Sequence, residues 1–163
     1  MSIEKQINQA ETNLQRKLDW VGRHDSRTTF VAGILIAMLG VLASSSSKVD
    51  EWTTFAYVVY GVTGVTLAAG LFFIYKCQYP QTESSNNSLN YFGTIAEMKF
   101  DEFKKKTLGT LDKDYLEDIL YQTHRNSVIL KLKFKYLKLA LVMLSISILP
   151  WLAAIYLSNE YMK

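Results

Sequence analysis

Few side chains in this chain are equipped for chemistry. His24, His124 and Cys77 are its only imidazoles and its only thiol in 163 residues. Nothing around them makes a Ser-His-Asp spacing, a zinc pattern or a glycine-rich phosphate loop. A single cysteine excludes an internal disulfide and most metal frameworks, so neither a metal nor a catalytic residue is expected. What remains is binding chemistry. Arg125 and Lys131 carry cations of the kind that reach a phosphate, since a cationic fork matches phosphate geometry. Tyr91 and Phe92 offer π-faces on which a base can stack, a contact worth about 1–3 kcal/mol in single-strand binders. Each has a plainer reading beside it. The basic run 131–138 also reads as an anchor facing anionic headgroups, worth about 1 kcal/mol per charge. Tyr91 and Phe92 also read as core residues.

The elements that must position these groups are set by hydropathy. Residues 28–47, 53–75 and 139–159 contain no Asp, Glu, Lys or Arg over 20, 23 and 21 positions. A helix needs about 20 apolar residues to cross a hydrocarbon core roughly 30 Å thick. No water is available there for backbone groups, so each stretch must be helical. The charged 20% of the chain lies outside these stretches, and the mean hydropathy of +0.05 hides them. A cleaved signal peptide ending near Val41-x-Ala43 is the competing reading of the first span. The region ahead of it is too long and carries Glu4, Glu11, Asp19 and Asp25.

Orientation follows from Lys and Arg. The N-terminal segment holds five and residues 76–138 hold eleven, whereas the hairpin has only Lys48 and the tail only Lys163. The positive-inside rule predicts a cytoplasmic N-terminus and middle segment, with hairpin and C-terminus outside. The net charge of +3 follows from this bias, and twelve of the 15 acids lie on the same side. It therefore does not point to a nucleic acid polymer. Cys77, one residue past Lys76, sits at the inner edge, where acylation is chemically available and a reduced thiol is the simpler state.

Along the chain, Ile3, Ile7, Ala10, Leu14, Leu18 and Val21 recur at helical spacing and predict an amphipathic helix. Its other face is both acidic and basic, which favours a protein contact over lipid. The first span has a small-residue face of Gly33, Ala37, Gly40 and Ser44; the second has Gly61, Gly64, Ala68 and Gly70. Small residues let helix backbones approach closely in lipid. These faces either pack the two spans on each other or bind another copy. Residues 78–90 read as a polar linker, and Tyr91–Ala96 as a strand or extended entry. A short helix is expected over 98–107, ended by Gly109, with Asp112 or Asp114 suited to cap the next one. From there one helix runs into the third span, where Pro150 removes a bond to the Ile146 carbonyl.

These residues resemble a known family. Tyr91-Phe-Gly-Thr-Ile-Ala96, then Phe103, then Gln122-Thr-His-Arg-Asn-Ser127 leading into Lys133-Phe-Lys-Tyr-Leu137, are similar to the transmembrane effectors of Pycsar anti-phage systems. Asp25-Ser-Arg27 ahead of the first span resembles that family's entry. The resemblance covers roughly residues 15–157. The 44–52 hairpin and the linker are this chain's own. The resemblance implies abortive infection: a cognate cyclase senses phage and makes a cyclic nucleotide, cyclic CMP or cyclic UMP, and the effector impairs the inner membrane.

The sequence thus predicts an all-α integral membrane protein. Residues 1–27 form a cytoplasmic helix, 28–75 a transmembrane hairpin, and 76–138 a linker and sensing region. Residues 139–159 form a third span continuous with a long cytoplasmic helix, and 160–163 an external tail. The expected site is Arg125, Tyr91, Phe92 and Lys131, with Gly33, Ala37, Gly40, Gly61 and Gly64 packing helices. The expected partners are the cyclic nucleotide, membrane lipids and further copies of the chain, since three spans are too few to enclose a pore. A nucleotide-independent scaffold or accessory subunit, or a small ion channel subunit, is the alternative.

Overall fold

The computed structural model describes residues 1–49, 52–79 and 88–160. Asp50 and Glu51 of the hairpin, residues 80–87 of the linker and residues 161–163 of the tail lie outside the described residues. Of the described residues 89% are helical and none is in a strand, as an all-α membrane protein requires. The helices are α1 (Ile3–Ser46), α2 (Thr54–Gln78), α3 (Phe92–Glu97), α4 (Phe100–Gly109) and α5 (Asp112–Glu160).

No break separates the amphipathic N-terminal segment from the first apolar stretch. Residues 22–27 hold no proline, and the one glycine, Gly22, costs only about 1 kcal/mol relative to alanine. α5 likewise runs unbroken from Asp112 through the third stretch, with Pro150 inside it. Asp112 and Asp114 both sit in its first turn rather than one of them capping it. Carboxylates there still favour the positive end of the helix dipole.

Tyr91–Ala96 is not a strand. Tyr91 alone is extended (φ −106°, ψ 122°), and the chain is helical from Phe92. Six residues are fewer than two turns, too short for a helical period to show over aromatic and β-branched residue types. α4 begins two residues later than its expected start and carries a Glu102–Lys106 ion pair of 2.9 Å, one turn apart. Thr53 caps α2, its hydroxyl accepting from the Ala56 N–H at 3.2 Å.

The chain divides into two compact units. The first comprises Met1–Arg23 with the described part of Pro80–Lys131, and is rich in charge. Its buried side chains include Ala10, Ser88, Ile119 and Gln122. The second comprises His24–Tyr79 with the described part of Leu132–Lys163, and is a bundle of three helices.

Within that bundle α1 and α2 run antiparallel. Thr28 meets Cys77 at one end, Leu35 packs on Gly70, and Ser45 meets Tyr60 at the other end. α5 runs parallel to α1: Asp25 meets Lys133, and the Trp151 indole N–H donates to the Met38 carbonyl at 3.0 Å. The middle of the bundle is apolar, with Leu35, Leu67 and Ala140 fully buried. Thr63 and Ser147 are buried too, and each hydroxyl donates back to its own helix, to Val59 and Leu144 carbonyls. Polar side chains in an apolar medium must be satisfied this way.

The outside of the bundle is apolar as well. Phe30 is 71% exposed, Val65 70% and Leu149 77%. A helix that is hydrophobic all round needs an apolar solvent on its outer face. All three long helices are apolar enough to supply a span.

Candidate functional site

Tyr91 and Phe92 stand at the start of α3 with ring centroids 4.8 Å apart and planes inclined by 51°. The Tyr91 ring folds over Gly93 so tightly that a Cβ there would lie 2.5 Å from Tyr91 Cε1. Any larger residue at 93 would have to displace that ring. Phe92 is 69% exposed, which leaves its face open for stacking and removes it from any core. Arg125 is half-buried on α5 and Lys131 exposed on the same helix. Six residues amount to about one and two-thirds turns, so the two cations leave α5 in different directions.

The same helix carries a row that spacing alone would have revealed. Asp118, Gln122 and Arg125 stand four and three residues apart, which puts them on one face of α5. Asp118 Oδ2 accepts from the Leu89 backbone N–H at 3.1 Å and from Asn90 Nδ2 at 2.8 Å. The Ser88 hydroxyl accepts from the Asn90 N–H at 3.0 Å, a turn within the loop that the two Asp118 bonds hold to α5. The other carboxylate oxygen, Asp118 Oδ1, is buried without a hydrogen-bond partner among the described residues. Gln122 is only 6% exposed, and its Nε2 likewise has none. A buried donor or acceptor left unmade costs about 1–3 kcal/mol, so such atoms are suited to a ligand that completes them.

A cavity of about 430 Å³ opens beside this row, lined by Ser88, Leu89, Asp118 and Tyr121 among others. Asp114 and Glu117 also line it, and among the described residues no cation does, so the charge at this end opposes an anion. Tyr115 borders it too, its hydroxyl donating to Glu11 on α1 at 2.9 Å. Burial, reinforced by the carboxylate it donates to, pushes the Tyr115 phenol above its ordinary value. It remains a neutral donor.

A second polar cluster belongs to the bundle. His24, fully buried, places Nδ1 3.3 Å from Thr28 Oγ1 and 3.6 Å from Asp25 Oδ1. Its Nε2 lies 3.9 Å from Cys77 Sγ, and its ring stands edge-on to Phe134 with centroids 4.7 Å apart. The Cys77 thiol donates to the Lys133 carbonyl at 3.3 Å. This cluster ties three helices together at one end of the bundle. The Tyr60 hydroxyl, 3.1 Å from both Ser45 Oγ and the Ala154 carbonyl, ties them at the other.

The glycines expected to pack helices divide unevenly. Gly33, Gly40, Gly61 and Gly64 have nothing within 4 Å of where a Cβ would stand, and Ala37 is exposed. Gly70 is the position of close approach, its Cβ site 3.0 Å from Leu35 Cδ2. Within one chain, then, the hairpin is packed through Gly70 and not through the paired small faces.

Three helices long and apolar enough to cross a membrane, in a chain whose described residues are otherwise helical, define an all-α integral membrane protein. Residues 9–158 match the Pycsar effector protein domain. The chain belongs to that family of anti-phage membrane effectors, which is not a known enzyme family. Membership implies a cyclic-nucleotide signal from a cognate cyclase. No curated protein and no solved structure matches the chain.

Proposed function

We propose that the polar unit binds a cyclic mononucleotide through the Asp118–Gln122–Arg125 face of α5, and that binding drives the bundle into a membrane-impairing assembly. The observation that carries this is the pair of orphaned groups, an acceptor at Asp118 Oδ1 and a donor at Gln122 Nε2. A pyrimidine edge presents the complementary donor and acceptor. Arg125 follows about 10 Å along the helix from Asp118, at the end away from the carboxylates, where a cyclic phosphate finds its cation. Phe92 supplies an exposed stacking face.

Activation then requires that the nucleotide bind the assembled form better than the resting one, for equal affinity shifts nothing. The outward glycines Gly33, Gly40, Gly61 and Gly64 are where a second copy could approach closely. The effector sits in the inner membrane with its N-terminus in the cytoplasm, where a cyclase product is available. Sixteen of the 18 basic residues are then on the cytoplasmic side. Impairment of that membrane ends the infected cell, which is abortive infection.

Titration calorimetry on the purified chain in detergent tests the reading with cyclic CMP, cyclic UMP and their linear 5′-monophosphates. One cyclic nucleotide should bind near one per chain, and its linear counterpart should not. A folded chain that binds neither cyclic pyrimidine nucleotide overturns it.

A further inference from the structure

The bundle carries a groove that the nucleotide reading does not use. It lies along the seam of α1 and α5, has a volume of about 680 Å³, and is lined by Arg27, Phe30, Ile34, Lys138, Leu141 and Leu144 among others. Its two cations hold matching positions. Arg27 immediately precedes the first charge-free stretch and Lys138 immediately precedes the third. Because α1 and α5 run parallel, both stand at the same membrane boundary, at the mouth of one slot. Neither forms an ion pair with a described residue, whereas their neighbour Lys133 is neutralised by Asp25. Below the cations the walls are apolar, from Phe30 and Leu141 to Ile34 and Leu144.

Two uncompensated cations above an apolar slot match one class of ligand. Its head is anionic and lies at headgroup level, and its tail is a hydrocarbon chain lying along the helices. A zwitterionic lipid brings its own cation to the mouth and meets two more. An anionic lipid brings none, so charge complementarity selects it. We propose that this groove binds one anionic phospholipid, its phosphate between Arg27 and Lys138 and one acyl chain along Phe30, Ile34, Leu141 and Leu144. The lipid wedges the seam between α1 and α5, and so belongs to the bundle rather than to the mobile lipid around it.

Native mass spectrometry of the full chain released from mild detergent tests this, with phosphatidylglycerol and phosphatidylcholine titrated in parallel. The expected result is a first phosphatidylglycerol retained at about tenfold lower concentration than phosphatidylcholine. Arg27→Gln with Lys138→Gln should abolish that preference, while Lys104→Gln with Lys105→Gln, exposed on α4, should keep it. Equal retention of the two lipids, or a preference that survives in the groove variant, overturns the proposal. If the groove variant does not fold, Phe30→Trp in an otherwise native chain decides the matter. Brominated phosphatidylglycerol should quench that indole more than brominated phosphatidylcholine does, and equal quenching overturns the proposal.

Discussion

Lys133 on α5 meets Asp25 on α1 at the end of the bundle where Cys77 is buried. The lysine is the more enclosed partner, with 16% of its side chain exposed against 38% for the aspartate. Removing the carboxylate strands a mostly buried ammonium, while removing both charges leaves an apolar seam.

Asp25→Asn should therefore destabilise the bundle by about 1–3 kcal/mol, and Asp25→Asn with Lys133→Met should recover much of that loss. Cys77 supplies the readout. It is the only cysteine, 1% exposed, and a thiol-reactive dye will label it as the bundle opens on heating. A double-mutant cycle of labelling midpoints gives the coupling, and a coupling of zero denies the pair any role.

Gly70 and the outward glycines predict opposite outcomes. Gly70→Leu must displace Leu35, and should lower the labelling midpoint by a destabilisation of about 1–3 kcal/mol. Gly33→Leu and Gly64→Leu meet open space in the single chain and should leave that midpoint nearly unchanged. They should instead weaken crosslinked oligomers in membranes. Intact oligomers in both variants would show that copies associate elsewhere.

What was legible in the sequence follows from the range of each signal. Hydropathy over 20 residues is strong, so the three spans and the unbroken passage of α5 into the third were readable. A six-residue segment carries no period, so the strand or extended entry expected at Tyr91–Ala96 is a helix from Phe92. Gly70 was one small residue among several, and only its contact with Leu35 singles it out. Asp118 and Gln122 stand at helical spacing, yet only Gln122 entered the sequence reading, as part of the family resemblance. Their orphaned atoms depend on how the Ser88–Asn90 loop folds against α5, which no spacing encodes.

Topology can be checked with Cys77, which is buried, serving as a silent background. A cysteine at Ser47 should react with an impermeant maleimide from outside the cell, and one at Lys104 on exposed α4 should not. The reverse pattern would invert the chain and place the Asp118–Gln122 face beyond the reach of a cytoplasmic messenger.

The row on α5 makes the most discriminating prediction. Gln122→Leu fills nearly the same space and removes the unmet donor, so the chain should fold at least as well as the native one. It should lose cyclic-nucleotide affinity by about 1–3 kcal/mol, five- to more than 100-fold, because one donor to the base is gone. Arg125→Ala removes the cation at the phosphate end and should abolish toxicity when the cognate cyclase is active, with membrane insertion and expression unchanged. Lys131→Ala, on a different face of the same helix, should do neither if the phosphate lies at Arg125. The measurements are calorimetry for affinity and cell survival on cyclase induction for toxicity. Full toxicity in Arg125→Ala together with native affinity in Gln122→Leu would remove this face of α5 from the switch.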